Sequence, residues 1–251
     1  MGANLKDVRD RIKSVQSTKQ ITKAMKMVAA AKLRRAQDAI TRLRPYSEKL
    51  DEMLVNILSN LEGETEISYG KEREVDHVLY VVITSDRVLC GAFNSNIIKA
   101  AEQSIVENYA AHRKAGKLDI LCIGKRGYLY FKRHYSDCRI HEDYVNLFEN
   151  LTFENIVHLP NLIMRRFDEE IFDRVDVAYS EFKNAANQIP HTVQYLPVQS
   201  MDEQEEELEE EQSQLRADYI FEPDKEQLLE DLVPSILQMT FYKFLLDNHA
   251  S

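Results

Sequence analysis

The chain has 251 residues, 44% hydrophobic and 29% charged, with a formal net charge of −10. That length fits one large domain, or one domain plus an extended element, with enough apolar content for a core. No window approaches about 18 consecutive apolar residues and no N-terminal apolar run precedes a small-residue cleavage site, so neither a membrane span nor a secretory signal is predicted. Cys90, Cys122 and Cys138 are widely spaced without a CxxC pair, which argues against a disulfide framework or zinc site and fits a reducing compartment. The charge is unevenly spread. Residues 1–45 hold six Lys and six Arg against three Asp, a net +9, and the remainder carries −19. Such asymmetry predicts a basic N-terminal element facing an anionic partner.

From Leu5 to Leu61 the apolar positions step by three or four (Leu5, Val8, Ile12, Val15, Met25, Val28, Ala36, Ala39 or Ile40, Leu43, Leu50), the seam of an amphipathic helix or coiled coil. Ser14 to Lys23 is more polar and breaks the strict seam. Pro45 is expected to bend or interrupt the helix, since it removes a backbone donor and clashes one turn back. Fully helical, the stretch spans roughly 85 Å at about 1.5 Å per residue, far more than a small domain's diameter. Ile21 to Gln37, ITKAMKMVAAAKLRRAQ, lacks Gly, Pro and acidic residues, and alternates small or apolar side chains with Lys and Arg. A helix with that surface needs something long to lie against.

Glu62 to Glu74 reads as a loop. Val75 to Thr84 reads as a buried strand. Asn94 is expected to cap a helix running to about Ala115, with Gly116 ending it. Leu118 to Ile123 is a second strand, Gly124 to His134 a helix, and Asn155 to Phe172 an amphipathic segment complicated by Pro160. Arg174 to Phe182 and Thr192 to Val198 are the third and fourth strands. Strands separated by helices imply βαβ units and a mostly parallel sheet. Residues 202–211 hold eight Asp or Glu, read as a solvated loop. A helical pattern resumes at Lys225. The expected organisation is therefore a helix over 1–61, an α/β domain over 75–200, an acidic loop over 201–216, and the start of a C-terminal helix over 217–251.

No active site emerges. The turn Gly124-Lys-Arg-Gly127 lacks the first glycine and the Ser/Thr of a phosphate loop, and Asp86-Arg87 after the first strand is read as a loop ion pair or a helix-cap acceptor. The seven His include no HExxH, and no GxSxG is present. Catalytic, cofactor and metal residues are accordingly expected to be none. The alternative function is nucleic-acid binding by the basic helix; against it, the charges are spread around the helix among Ala, Met and Val.

Three motifs carry a family resemblance: IKSVQSTKQITKAMKMVAAAKLRRAQ at 12–37 with RPY at 44–46, TSDRVLCGAFN at 84–94, and YIFEPD at 219–224. In that order they resemble the gamma subunit of F-type ATP synthase, the central rotor shaft. The resemblance implies a Rossmann-like α/β domain flanked by long N- and C-terminal helices wound into an antiparallel coiled coil. It implies a non-catalytic subunit coupling rotation of the membrane c-ring to the alpha/beta catalytic hexamer, without cofactor and without nucleic acid. It implies peripheral attachment at the cytoplasmic face of a bacterial inner membrane, or the organellar equivalent, through the complex. By position Lys23, Met25, Lys26, Val28, Ala29, Lys32, Arg34 and Arg35 fall in the shaft, facing the hexamer or the paired helix. Arg44, Tyr46, Tyr219 and Glu222 fall toward the foot, where the family meets epsilon and the c-ring.

Two departures stand out. Val88 and Ala92 occupy positions where the family pattern has glycine, and the turn is expected to accommodate them. The family also continues for several helical turns past a segment like LLDNHAS, so the expectation is that this chain, ending at Ser251, lacks the distal half of the second shaft helix.

Overall fold

The structure is a computed structural model that describes residues 5–59, 68–70, 73–87, 90–184, 187–198 and 225–251. Its centre is a five-stranded sheet. β1 (Val78–Ile83) pairs in parallel with β2 (Leu118–Ile123) on one side and β4 (Arg174–Asn184) on the other. β3 (Arg139–His141) extends the sheet in parallel beyond β2, and β5 (Asn187–Leu196) closes the other edge antiparallel to β4. The mostly parallel sheet is as expected, with two differences. β3 was not foreseen, because its three residues are too few for any alternation to register. The last strand begins at Asn187 rather than Thr192, because hairpin pairing with β4 carries it through a polar stretch that has no strand signature of its own.

β1 and β2 are buried along their whole length, which is why both read as unbroken apolar runs. On one face Val78, Tyr80, Val82, Ile120 and Cys122 pack under α2 (Phe93–Asn108) and α4 (Lys125–His134) through Ile97, Ala101, Ile105 and Phe131. On the other face Leu79, Val81, Ile83 and Val177 pack under α6 (His158–Asp168) and α7 (Lys225–Ala250) through Ile163, Phe167, Leu237 and Phe241. Each fully buried Phe or Ile contributes about 1.5–3 kcal/mol of transfer free energy. The short α3 (Ala110–Lys114) and α5 (Phe153–Ile156) complete the domain. They also split two helices that the sequence pattern joins: the stretch to Ala115 breaks at Tyr109, and the 155–172 segment becomes α5 and α6. Pro160 falls in the first turn of α6, where its missing N–H is one that the helix leaves unpaired anyway.

Asn94 does not cap α2. The N-cap residue is Ala92, with φ −85° and no side-chain cap. Asn94 turns inward, accepting a hydrogen bond from Ser85 N at 2.9 Å and donating to Arg87 O and to Cys90 Sγ. Tying the loop after β1 outweighs a surface cap here. The left-handed residue of this turn is Gly91, φ +58°, so Ala92 is unstrained; Val88 lies outside the described residues. Nor does Pro45 interrupt α1 (Leu5–Ser59), which is continuous over 55 residues. A proline here costs one helical hydrogen bond and about 3 kcal/mol, offset by burial of Ile40, Ser47 and Leu50 on either side.

The Gly124–Gly127 turn is built for close packing. Gly124 has φ +91°, and a Cβ there would sit 2.0 Å from Thr84 O. Gly124→Ala is expected to destabilise the full chain by about 2–4 kcal/mol, combining left-handed strain with overpacking. At Gly116 (φ +70°) a Cβ meets nothing within 4 Å, and Ala should cost only about 1 kcal/mol. Equilibrium urea unfolding of both variants checks the contrast.

Candidate functional site

The feature the domain exists to present is α1. Only its middle is docked. Ala36 and Ile40 pack with Leu246 and Ala250 of α7 and Phe182 of β4, flanked by Leu33, Ala39, Leu43, Leu151 and Tyr242. Buried positions continue at Ser47 and Leu50. The 36, 40, 43, 47, 50 spacing is a heptad seam, and the alanines let the helices approach closely. Arg44 also reaches Asp247, so the end of α7 lies along the middle of α1.

From Leu5 to Lys32 every residue of α1 is exposed. This arm is about 40 Å long. Its large apolar side chains are uncovered, Leu5 at 75%, Ile12 at 52%, Met25 at 61% and Val28 at 59%. Lys23, Met25, Lys26, Val28, Ala29, Lys32, Arg34 and Arg35 are all exposed, so α7 does not cover them. At about 100° per residue Lys23 and Arg34 share a side, Lys32 lies opposite, and Arg35 and Lys26 fall between. Among the described residues none of these five cations forms an ion pair. Of the four foot positions, Tyr46 is 54% exposed, and Tyr219 and Glu222 lie outside the described residues, as does the acidic run. Arg44 is engaged within the chain: it donates to Phe182 O at 2.5 Å and lies 3.7 Å from Asp247 Oδ1. The motif around Arg44 revealed nothing of this, because the partners are 138 and 203 positions away.

The places where an α/β sheet would hold a ligand are occupied by the chain itself. The first amides of α4 are spoken for: Lys125 N donates to Asp86 Oδ1, Arg126 N to Ser85 O, and Gly127 N to Thr84 Oγ1 at 2.8 Å. Asp86 is thus the anion at that helix terminus, fulfilling its reading as a cap acceptor. Beyond the C-terminal end of β1 the β4–β5 hairpin packs on α2 and leaves a shallow depression of about 230 Å³ lined by Cys90, Phe93, Asn96, Ser180 and Pro190. Burial pushes the Cys122 thiol up to about 12, so it is inert. Asp119 of β2, between His77 Nε2 at 3.2 Å and His141 Nε2 at 2.8 Å, ties β2 to β3 and to the residue that precedes β1. Among the described residues no His/Cys/Asp/Glu group is arranged to hold a metal, and no helix is long and apolar enough to cross a membrane.

A family model described as ATP synthase matches residues 4–251. The ATP synthase gamma chain of Cytophaga hutchinsonii is 46% identical over 250 residues, covering 99% of this chain and 82% of that one. Those of Christiangramia forsetii and Chlorobium chlorochromatii are 44% and 40% identical at the same coverage. The chain belongs to the ATP synthase gamma-chain family. It is a central-stalk subunit of an F-type ATP synthase. The fold agrees: the central stalk of the Tetrahymena thermophila mitochondrial ATP synthase superposes with a TM-score of 0.58 at 20% identity, covering 92% of this chain and 93% of that one. The Euglena gracilis mitochondrial rotor superposes with a TM-score of 0.54 at 21% identity, covering 96% and 84%.

In a gamma chain of this build, Ile40→Ala should cost about 2–4 kcal/mol, because Ile40 is enclosed between α7 and β4. Met25→Ala on the exposed arm should change the stability of the isolated chain by less than about 0.5 kcal/mol. Urea unfolding of the two variants measures both.

Proposed function

We propose that this gamma chain is a non-catalytic rotor shaft, with residues 5–32 of α1 as the segment that enters the alpha/beta catalytic hexamer. One observation carries the reading: a helical arm about 40 Å long that is basic, apolar and unburied against its own domain. A helix in that condition is stabilised by partners rather than by its own fold. Lys23, Lys26, Lys32, Arg34 and Arg35 supply long-range attraction to an acidic partner surface without a deep pocket. Because they point around the axis rather than along one stripe, no single rotational setting is strongly preferred, which suits an element that turns. Met25, Val28 and Ala29 supply the apolar contact.

The organisation that goes with this is a shaft helix over 1–61, a foot domain over 75–200, an acidic loop over 201–216 and the second shaft helix from 217. Tyr46, the outer edge of Arg44, Tyr219 and Glu222 lie on the foot side, toward epsilon and the c-ring. ATP chemistry belongs to the partner subunits, and attachment to the cytoplasmic face of the bacterial membrane, or its organellar equivalent, runs through the complex. The circumferential spread of the cations also argues against the nucleic-acid reading.

Replacing Lys23, Lys26, Lys32, Arg34 and Arg35 together by Gln should weaken association of the full chain with alpha/beta subunits by about tenfold or more at low salt, with a smaller difference at high salt. Co-purification across a salt series reads this, and equal retention of both forms would overturn the electrostatic role. Filter binding to duplex DNA at low salt separates the alternative: tight binding with a steep salt slope would favour it.

A further inference from the structure

Torque passing between the α/β domain and the helix pair must cross the surface where α1 and α7 meet β4. The apolar part of that surface resists separation and sets a crossing angle only to within about 15–20°. The polar part narrows it. Arg44 of α1 donates to Phe182 O at 2.5 Å and faces Asp247 of α7 at 3.7 Å. Asn248 Oδ1 accepts from Ser180 N at 3.3 Å, and Ser251 Oγ donates to Ser180 O at 3.4 Å. The β5 residue in register with Ser180 is Pro190, which has no N–H to give; Ser180 N goes to Asn248 of α7, and Ser180 O shares the Ser251 hydroxyl, just past α7, with the nearer Asp247 O at 2.9 Å. One side chain from each helix, Arg44 and Asn248, thus holds a backbone group of the same strand, at Phe182 and Ser180.

Asp247 is out of place on stability grounds. It is 2% exposed, and its Oδ1 makes no hydrogen bond. Burial raises its carboxyl pKa above the usual 3.8, with Arg44, the Phe182 amide and Lys243 opposing and Glu181 adding to the rise. The folded chain therefore holds this proton more tightly than the unfolded chain. The stability this proton contributes is present below the unfolded carboxylate pKa and is lost as pH rises through the raised folded one. An isosteric amide would avoid that loss.

We propose that Arg44 and Asp247, with Asn248 and Ser251, form an angular lock that makes the helix pair and the α/β domain turn as one body. Arg44 and Asp247 are then positioning residues for rotary coupling rather than folding determinants. This rests on the rotor reading above.

The test uses the assembled ATP synthase in membrane vesicles, comparing ions pumped per ATP hydrolysed for the parent chain, Asp247→Asn, Arg44→Ala and Arg44→Lys. The expected result is normal assembly, with the pumping ratio falling roughly two- to tenfold in Asp247→Asn and Arg44→Ala, the range of single-residue changes in coupling. Arg44→Lys should recover part of the ratio. The melting temperature of the Asp247→Asn chain at pH 7 should equal or exceed that of the parent, which a structural salt bridge would not allow. An unchanged ratio in both variants overturns the lock. So does failure of both to assemble, which would make the pair a folding element. If the rotor reading itself were wrong, the parent chain would neither assemble nor support pumping.

Discussion

Everything extended about this molecule depends on a short apolar junction. Ala36, Ile40, Leu246, Ala250 and Phe182 form the cluster that holds α1 to the rest of the chain. At about 25 cal/mol per Å² of buried apolar surface such a cluster is adequate to dock a helix but not to bury 55 residues of it. The consequence is a division of labour along one helix. Its middle is anchored, and its first 28 described residues project with their seam uncovered. Most helical stability in proteins comes from packing of an apolar face, and this arm has no such packing within its own chain.

The α/β domain supplies a rigid base for that projection. β1 and β2 are buried on both faces, and helices cover both sides of the sheet. The positions at which such sheets hold nucleotides or anions are largely taken by the protein's own groups: Asp86, Ser85 and Thr84 take the α4 amides, and the β4–β5 hairpin narrows the crevice beside β1 to a shallow depression. The same hairpin serves the helix pair, because β4 runs past the end of β1 far enough to offer Ser180 and Phe182 to α7 and α1. A topology that elsewhere makes a ligand cleft here makes an attachment point.

The electrostatics divide the same way. On the arm, Lys and Arg are exposed and lightly constrained, so their effect is long-ranged and sensitive to salt. At the junction a half-exposed Arg44 faces a buried Asp247, and burying the carboxylate is costly while direction matters. Similar residue types act on association in one place and on rigidity in the other, and burial decides which.

The sequence by itself determined the long N-terminal helix, the buried parallel strands, the terminal helix and the family, because these rest on local periodicity and contiguous motifs. The 3.6-residue repeat of α1 and the unbroken apolar run of β1 need no distant partner to be legible. Only the tertiary structure decided what depends on residues far apart. That Asn94 ties a loop rather than caps α2, that Gly124 clears the Thr84 carbonyl, and that β3 exists follow from neighbours supplied by other elements. The candidate site was half legible: the cations of the arm could be named from their pattern, whereas the assignment of Arg44 to Phe182 and Asp247 could not. Sequence spacing records which face of a helix a residue occupies. It does not record what the fold brings against that face, and that contact decides between a solvated charge and a buried lock.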